Sequence, residues 1–179
     1  FASFGFDAFL FEAMMAFSAS ATLVLRGTEL GEELVDLMMR ERISVATLPP
    51  SLLVRTMLTR VVSLRYVVAA GEACPPSAIG SLPADCRLVN AYGPTEATIW
   101  STAYAVERVD AGRAALPIGR PVGDTSVRIL APDLRPLPGG RHARAAESGP
   151  FLFLYGYDDH LDPHAIPASG ASAAAAPAS

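Results

Sequence analysis

Lysine is absent from the sequence: the 14 basic side chains other than histidine are all arginine. A reaction step that needs a lysine side chain therefore cannot run on this chain alone. The net charge of −4, with arginines scattered rather than clustered, gives no reason to expect a nucleic acid partner. Charged residues make up 18% of the chain and apolar residues 51%, so a globular protein with a real core is expected.

Cysteine is scarce, and Cys74 and Cys86 are the only two. They cannot build a disulfide framework, and their spacing is not that of a metal-binding pair. We expect reduced thiols in a cytoplasmic protein. Long apolar runs are missing as well, because the stretch at 13–25 contains Ser and Thr and stops at Arg26. No membrane span, signal peptide or membrane partner is expected.

The chain opens on Phe1, inside an apolar segment, rather than on Met. An upstream part of the protein is therefore expected to be missing.

Helical and strand-like patterns alternate over residues 1–105. Asp7 is a candidate N-cap for the first helix, and Ser51 for a later one. The predicted strands are 21–26, 43–48, 65–70 and 87–91, and the predicted helices are 7–17, 30–42, 51–59 and 75–81. This alternation is typical of an α/β fold with a parallel sheet and flanking helices, in which ligands bind at the carboxyl ends of the strands.

The pattern changes after residue 105. Short strand-like pieces separated by Pro and Gly predict the start of a small β-rich subdomain over residues 106–140. Residues 141–179 are predicted to be a divergent, disordered tail, with a low-complexity end.

Residues 90–96 read NAYGPTE, a tight turn after an apolar strand. Tyr92 offers an aromatic face, Thr95 a hydroxyl and Glu96 a carboxylate. A stacking ring, a phosphate-binding hydroxyl and a carboxylate for Mg²⁺ together suit a nucleoside triphosphate. An ordinary turn fixed by Gly93 and Pro94, with solvated polar groups, is the alternative interpretation.

This segment resembles the adenine-binding signature of the adenylate-forming (AMP-binding) superfamily, and specifically of nonribosomal peptide synthetase adenylation domains. Four other segments resemble that family in the expected order, so that the likeness covers residues 1–138. They read FASFGFDAFLFEAMMAF, ISVATLPPSLL, RYVVAAGEA and LPIGRPVGDTSVRIL. The resemblance implies a partial adenylate-forming core in an internal fragment of such an enzyme, an ATP-dependent ligase.

The resemblance also implies ATP or AMP and Mg²⁺ as cofactors. Thr95 would contact phosphate and Glu96 would hold Mg²⁺, which makes them the candidate catalytic residues. The implied adenine-binding residues, with Tyr92 stacking and Asn90 at the amino edge, are Gly71, Glu72, Ala73, Asn90, Ala91, Tyr92 and Gly93. Carrier-protein and condensation domains of a larger synthetase are the implied partners, the carrier supplying a phosphopantetheine thiol.

Asp7 would pair with the α-ammonium of an amino-acid substrate. The implied side-chain pocket comprises Ala8, Phe11, Thr47, Val68, Ala70, Ala91, Ile99 and Trp100. Simple helix capping by Asp7 and core packing of the apolar residues are the alternatives. As a pocket, the set favours an apolar or aromatic amino acid, and we expect Asp7 and Glu96 to face one shared cleft.

Three features limit what this chain can do alone. The phosphate loop, the ribose-binding Asp motif and the catalytic lysine of the family have no match, so the isolated chain is predicted to be inactive.

After Gly140 the family pattern ends, and residues 141–179 are interpreted either as an out-of-frame translation or as a divergent natural tail. An acyl-CoA or aryl-acid ligase of the same superfamily, and a catalytically dead remnant acting as a binding module, remain alternative functions.

Overall fold

The computed structural model describes residues 1–97, 99–123, 125 and 127, together with the backbone alone of 129–130, 144–148 and 151–155; Glu96 is described by its backbone only. These residues belong to two compact units. Unit 1 comprises Phe1–Asn90 and Ala105–Leu116, and unit 2 comprises Ala91–Tyr104 and Pro117–Ser179. The predicted subdomain boundaries at 105 and 140 stay predictions.

The described part of unit 1 contains three α-helices and a sheet of parallel strands. The helices are α1 (Asp7–Ser18), α2 (Glu32–Arg40) and α3 (Pro50–Arg55), and 3-10 helices cover Leu58–Arg60, Pro76–Ser81 and Arg108–Gly112. Strands β1 (Val45–Leu48), β2 (Tyr66–Ala69) and β3 (Arg87–Tyr92) lie in that order, all parallel. The predicted parallel sheet with flanking helices is confirmed.

One face of this sheet packs on the core. Strand residues Leu48, Val67, Ala69 and Leu88 are buried among apolar side chains from α2, α3 and the 3-10 helices. Helix α2 is strongly amphipathic, because its apolar residues recur at helical spacing on one side. The residues that this side buries are Leu34, Val35, Leu37 and Met38. The register pairs Leu48 with Ala69 and Ala69 with Asn90, so the strands end at a common edge.

Two sequence-based expectations about local structure are wrong. Residues 21–26 form no strand in the described part of the chain, because an apolar run becomes a strand only when its backbone groups find a ladder partner. Helix α3 begins at Pro50 after the N-cap Pro49, not at Ser51, since proline suits the first helical position. It ends at Arg55, and Leu58–Arg60 is a separate 3-10 helix.

Unit 2 begins inside β3 and contains the short strands that follow it. Strand β4 (Thr102–Val106) pairs antiparallel with β5 (Arg120–Pro121) in this unit, through Thr102 opposite Pro121 and Ala103 opposite Arg120. Strands β6 (Ile129–Leu130), β8 (Phe151–Tyr155) and β7 (Arg144–Ser148) form a second sheet in the order β6-β8-β7. The expectation of a disordered tail from residue 141 therefore does not hold for β7 and β8, and residues 156–179 lie outside the described part.

No helix among the described residues is both long and apolar enough to cross a bilayer.

Candidate functional site

Thr47 and Val68 lie on the face of the unit 1 sheet that does not pack on the core. They are register partners in β1 and β2, and Val89 of β3 continues the row. Successive strand residues point to opposite faces, so this row lies on the face opposite the buried side chains of Leu48, Val67 and Leu88. Thr47 is buried at 6% exposure and its hydroxyl has no hydrogen-bond partner among the residues that the structure describes, while Val68 is half-buried. Val68 is not among the apolar residues that form the core cluster or pack against it, which argues against simple core packing for this residue.

Asp7 lies at the first position of α1. The N-cap is Phe6 and makes no side-chain capping bond, so the interpretation of Asp7 as the N-cap is wrong. The Asp7 carboxylate is half-buried and has no hydrogen-bond or ion-pair partner among the residues that the structure describes. Ala8 and Phe11, both half-buried, lie three residues apart on the same helix face.

A cavity of about 550 Å³ in unit 1 is lined by Thr47 together with residues that the sequence did not single out. Its lining includes Thr47 and the charged side chains of Glu12 and Arg26, but not Asp7, Ala8 or Phe11. Glu12 is buried at 7% exposure and accepts a hydrogen bond at 3.0 Å from the backbone N–H of Ala2. The sequence signal for Glu12 is an acid in the middle of α1, between apolar residues on both sides.

The loop Gly71–Ala73 follows β2 and Ala70. Gly71 has φ +86°, a left-handed conformation that glycine adopts without strain. The next residue, Glu72, accepts hydrogen bonds from the backbone N–H and from the hydroxyl of Ser51, each at 3.1 Å. Ser51 lies at the start of α3, just after β1, so the pair joins two segments that leave the same edge of the sheet. The sequence predicts Ser51 only as a helix cap.

The predicted adenine-binding turn lies in unit 2, where its backbone closes on itself. The N–H of Ser101 donates to the carbonyl of Tyr92 at 2.8 Å. A Cβ on Gly93 would lie 2.5 Å from the carbonyl oxygen of Ile99 and 2.7 Å from the Cα of Trp100, so only glycine fits there without a shift of the backbone. Ile99 has φ +73°, a rare conformation for a β-branched residue and one that concentrates at functional sites.

The remaining predicted residues are placed as follows. Asn90 and Ala91 are buried at the end of β3, and Tyr92, Ile99 and Trp100 are half-buried. Thr95 is exposed and starts a 3-10 helix, Thr95–Ala97, that contains Glu96. Hydroxyl and carboxylate oxygens are ligands that fit Mg²⁺, but the side chain of Glu96 lies outside the described part of the structure. The magnesium site therefore stays a prediction, and so does the shared cleft, since Asp7 lies in unit 1 and Glu96 in unit 2.

Both cysteines are free and buried. Burial raises the pKa of the Cys74 thiol to about 11. Burial also raises the pKa of Cys86 to about 11, against the opposing effect of the Arg108 and Arg65 charges. Neither thiol is therefore poised as a nucleophile at neutral pH.

Comparison with known proteins agrees with the fold and the motifs. The family profile described as AMP-binding enzyme matches residues 1–154, a range that runs past Gly140. The chain is 40% identical over 152 residues to novobiocin biosynthesis protein H of Streptomyces niveus, covering 83% of the chain and 25% of that protein. It is 39% identical over 165 residues to phosphinothricin tripeptide synthetase PhsC of Streptomyces viridochromogenes, covering 90% of the chain and 15% of that protein.

A solved structure is similar as well. The AMPPNP-bound form of the nonribosomal peptide synthetase FmoA3 superposes with a TM-score of 0.69 at 26% identity, over 85% of this chain and 18% of that one. The chain thus spans a quarter or less of each of these proteins. The profile match covers most of the sequence, and the motifs, the parallel sheet and the structural likeness agree with it, so the chain belongs to the AMP-binding enzyme family as a fragment of an adenylation domain.

Proposed function

We propose that this chain is part of an enzyme that activates an amino acid as aminoacyl-AMP, with ATP and Mg²⁺, for nonribosomal peptide biosynthesis. The observation that carries the proposal is the state of Asp7. Its half-buried carboxylate neither caps α1 nor pairs with another described residue. A carboxylate partly removed from water is stabilised by a cation, and the α-ammonium of an amino acid is such a cation. An acyl-CoA or aryl-acid ligase would have no use for this charge.

The proposed side chain of the substrate is apolar or aromatic. Thr47, Val68 and Ala70 lie on or beyond the sheet face opposite the core, where small and apolar groups leave room for a ligand. Ala8 and Phe11 on α1 supply further apolar surface. The proposal extends the pocket to Ala91, Ile99 and Trp100, and the strained backbone of Ile99 supports a functional role for that loop.

The proposed reaction needs no general base, because the substrate carboxylate is already a nucleophile. One carboxylate oxygen bonds to the α-phosphorus of ATP, the bond from that phosphorus to the bridging oxygen breaks, and pyrophosphate leaves with the electron pair. Positioning of the two reactants and stabilisation of phosphate charge supply the rate enhancement. Thr95 and Glu96 would contact phosphate and Mg²⁺, whose role is to offset the negative charge.

The aminoacyl group would then pass to the phosphopantetheine thiol of a carrier protein, alongside condensation domains in a larger synthetase. The similarity to a tripeptide synthetase supports this assignment. The buried, free thiols of Cys74 and Cys86 support a cytoplasmic location. Without lysine in the sequence, the chain alone is expected to give no turnover in a pyrophosphate-exchange assay.

Calorimetry with a nonhydrolysable phenylalanyl-AMP analogue tests the proposal. We expect binding of the analogue to the full chain, tighter than binding of AMP alone, because the analogue adds the ammonium and side-chain contacts. A dead remnant would release no heat with either compound. An acyl ligase would bind a matched acyl-AMP analogue without the amine at least as tightly, and either result would contradict the proposal.

A further inference from the structure

The contact between Ser51 and Glu72 spans 21 residues of sequence within unit 1. Each residue lies three positions beyond the end of a parallel strand, Ser51 after Leu48 and Glu72 after Ala69, and those two strand residues are register partners. The equal offset brings the start of α3 and the loop after β2 to the same edge of the sheet at the same height. The Glu72 carboxylate therefore accepts two hydrogen bonds from one residue of α3.

This arrangement gives the Ser51 N–H a hydrogen-bond acceptor. Ser51 is the second residue of α3, and the first N–H groups of a helix have no acceptor inside the helix. Glu72 Oε2 supplies that acceptor, while Oε1 accepts from the Ser51 hydroxyl. Both carboxylate oxygens thus face Ser51.

The loop Gly71–Ala73 makes few other contacts that fix its conformation. All three residues are exposed, and the loop starts at Gly71 in the left-handed conformation, which glycine adopts without strain. Ala70 on one side and Cys74 on the other are buried and act as fixed ends. Within the described part of the chain, the two bonds to Ser51 are the hydrogen bonds that the loop makes.

We propose that Glu72 is a positioning residue: its carboxylate ties the loop Gly71–Ala73 to Ser51 and so holds that loop in the shape that nucleotide binding requires. This inference rests on the proposed function, in which Gly71–Ala73 form one wall of the adenine site. It changes the part that Glu72 plays there, from contact with adenine to support of its neighbours through Ser51 of α3.

Amide hydrogen exchange and calorimetry with AMP, both on the full chain, test the inference. Glu72→Ala should speed exchange of the Ser51 amide by about two- to tenfold, the effect of losing one exposed hydrogen bond, and should weaken AMP binding by a similar factor. Ser51→Ala should weaken AMP binding less, because the backbone bond remains, and Ser51→Thr should restore it. Glu33→Ala is the matched control, since Glu33 is exposed and without a partner among the described residues.

The outcomes distinguish failure of the positioning role from failure of the proposed function on which it rests. If the wild type binds AMP and Glu72→Ala binds it equally, or if exchange of the Ser51 amide does not change, the positioning role is overturned and the proposed function stands. If Glu72→Ala weakens binding while Ser51→Ala has no effect, Glu72 contacts the nucleotide directly and the inference is again overturned. If the wild type binds no AMP, the proposed function is contradicted and the inference falls with it.

Discussion

Gly93 lies directly against the backbone of Ile99: a Cβ at Gly93 would come within 2.5 Å of the Ile99 carbonyl oxygen. The amide of Ser101 and the Cα of Trp100 are almost as close to that position. All three are backbone atoms, which cannot rotate away as a flexible side chain could. The turn that carries Tyr92 can therefore close only because residue 93 has no side chain.

Gly93→Ala should destabilise the protein by about 1–3 kcal/mol, the usual cost of forcing an extra group into a filled space. Urea denaturation followed by circular dichroism would measure the change in the free energy of unfolding. Gly80→Ala is the control, because a Cβ there meets nothing within 4 Å. Equal stability of the two variants would contradict the close approach at Gly93.

The elements with strong local signals were predictable from the sequence. β1, β2 and β3 are short apolar runs between turn residues, and α2 carries an apolar stripe at helical spacing. The loops after these strands could be recognised because the carboxyl ends of parallel strands meet at one edge.

Features that depend on tertiary partners were not predictable. Residues 21–26 are apolar enough for a strand, but strand formation depends on a ladder partner that no local pattern reveals. The acceptor role of Glu72 depends on the register of β1 and β2, and the strain at Ile99 depends on how the turn closes over Gly93. Asp7 fits the residue preference for an N-cap, but the helix starts one residue earlier than that role requires.

Cys74 and Cys86 should react slowly with iodoacetamide at pH 8 while the protein is folded. Burial raises the pKa of each thiol from the ordinary 9.0 to about 11 and lowers the thiolate fraction accordingly. In guanidinium chloride both should react about a hundredfold faster, in proportion to the thiolate gained. Mass spectrometry would report the labelling of each residue. Fast labelling of the folded protein would contradict the burial of these thiols.

The same pKa shifts predict how stability depends on pH. Because the folded-state pKa values are raised, the stabilisation is fully present below about pH 9 and is lost as pH rises toward about 11. Urea denaturation at intervals across this window would measure the slope. Cys74→Ala should flatten the slope, whereas an unchanged slope would show that the thiol is not responsible.

The outer face of α1 should drive self-association of the chain. Leu10, Met14 and Phe17 lie on one helix face and are each more than half exposed, at 58%, 60% and 64%. Replacing all three by Gln, which keeps helix propensity, should lower the association seen in sedimentation velocity at rising protein concentration. Val62→Gln and Val109→Gln, at isolated exposed positions, should leave association unchanged. An equal effect of those controls would contradict a role for the α1 face.

Asp7 provides the most direct test of amino-acid activation. Wild type and Asp7→Asn would each be titrated by calorimetry with two nonhydrolysable acyl-AMP analogues that differ only in the α-ammonium group. Asp7→Asn should weaken binding of the ammonium analogue by about ten- to a hundredfold, the value of one hydrogen bond between charged groups, and leave the other analogue unchanged. Equal losses for both analogues, or no loss for either, would contradict the assignment of Asp7 as the group that binds the amine.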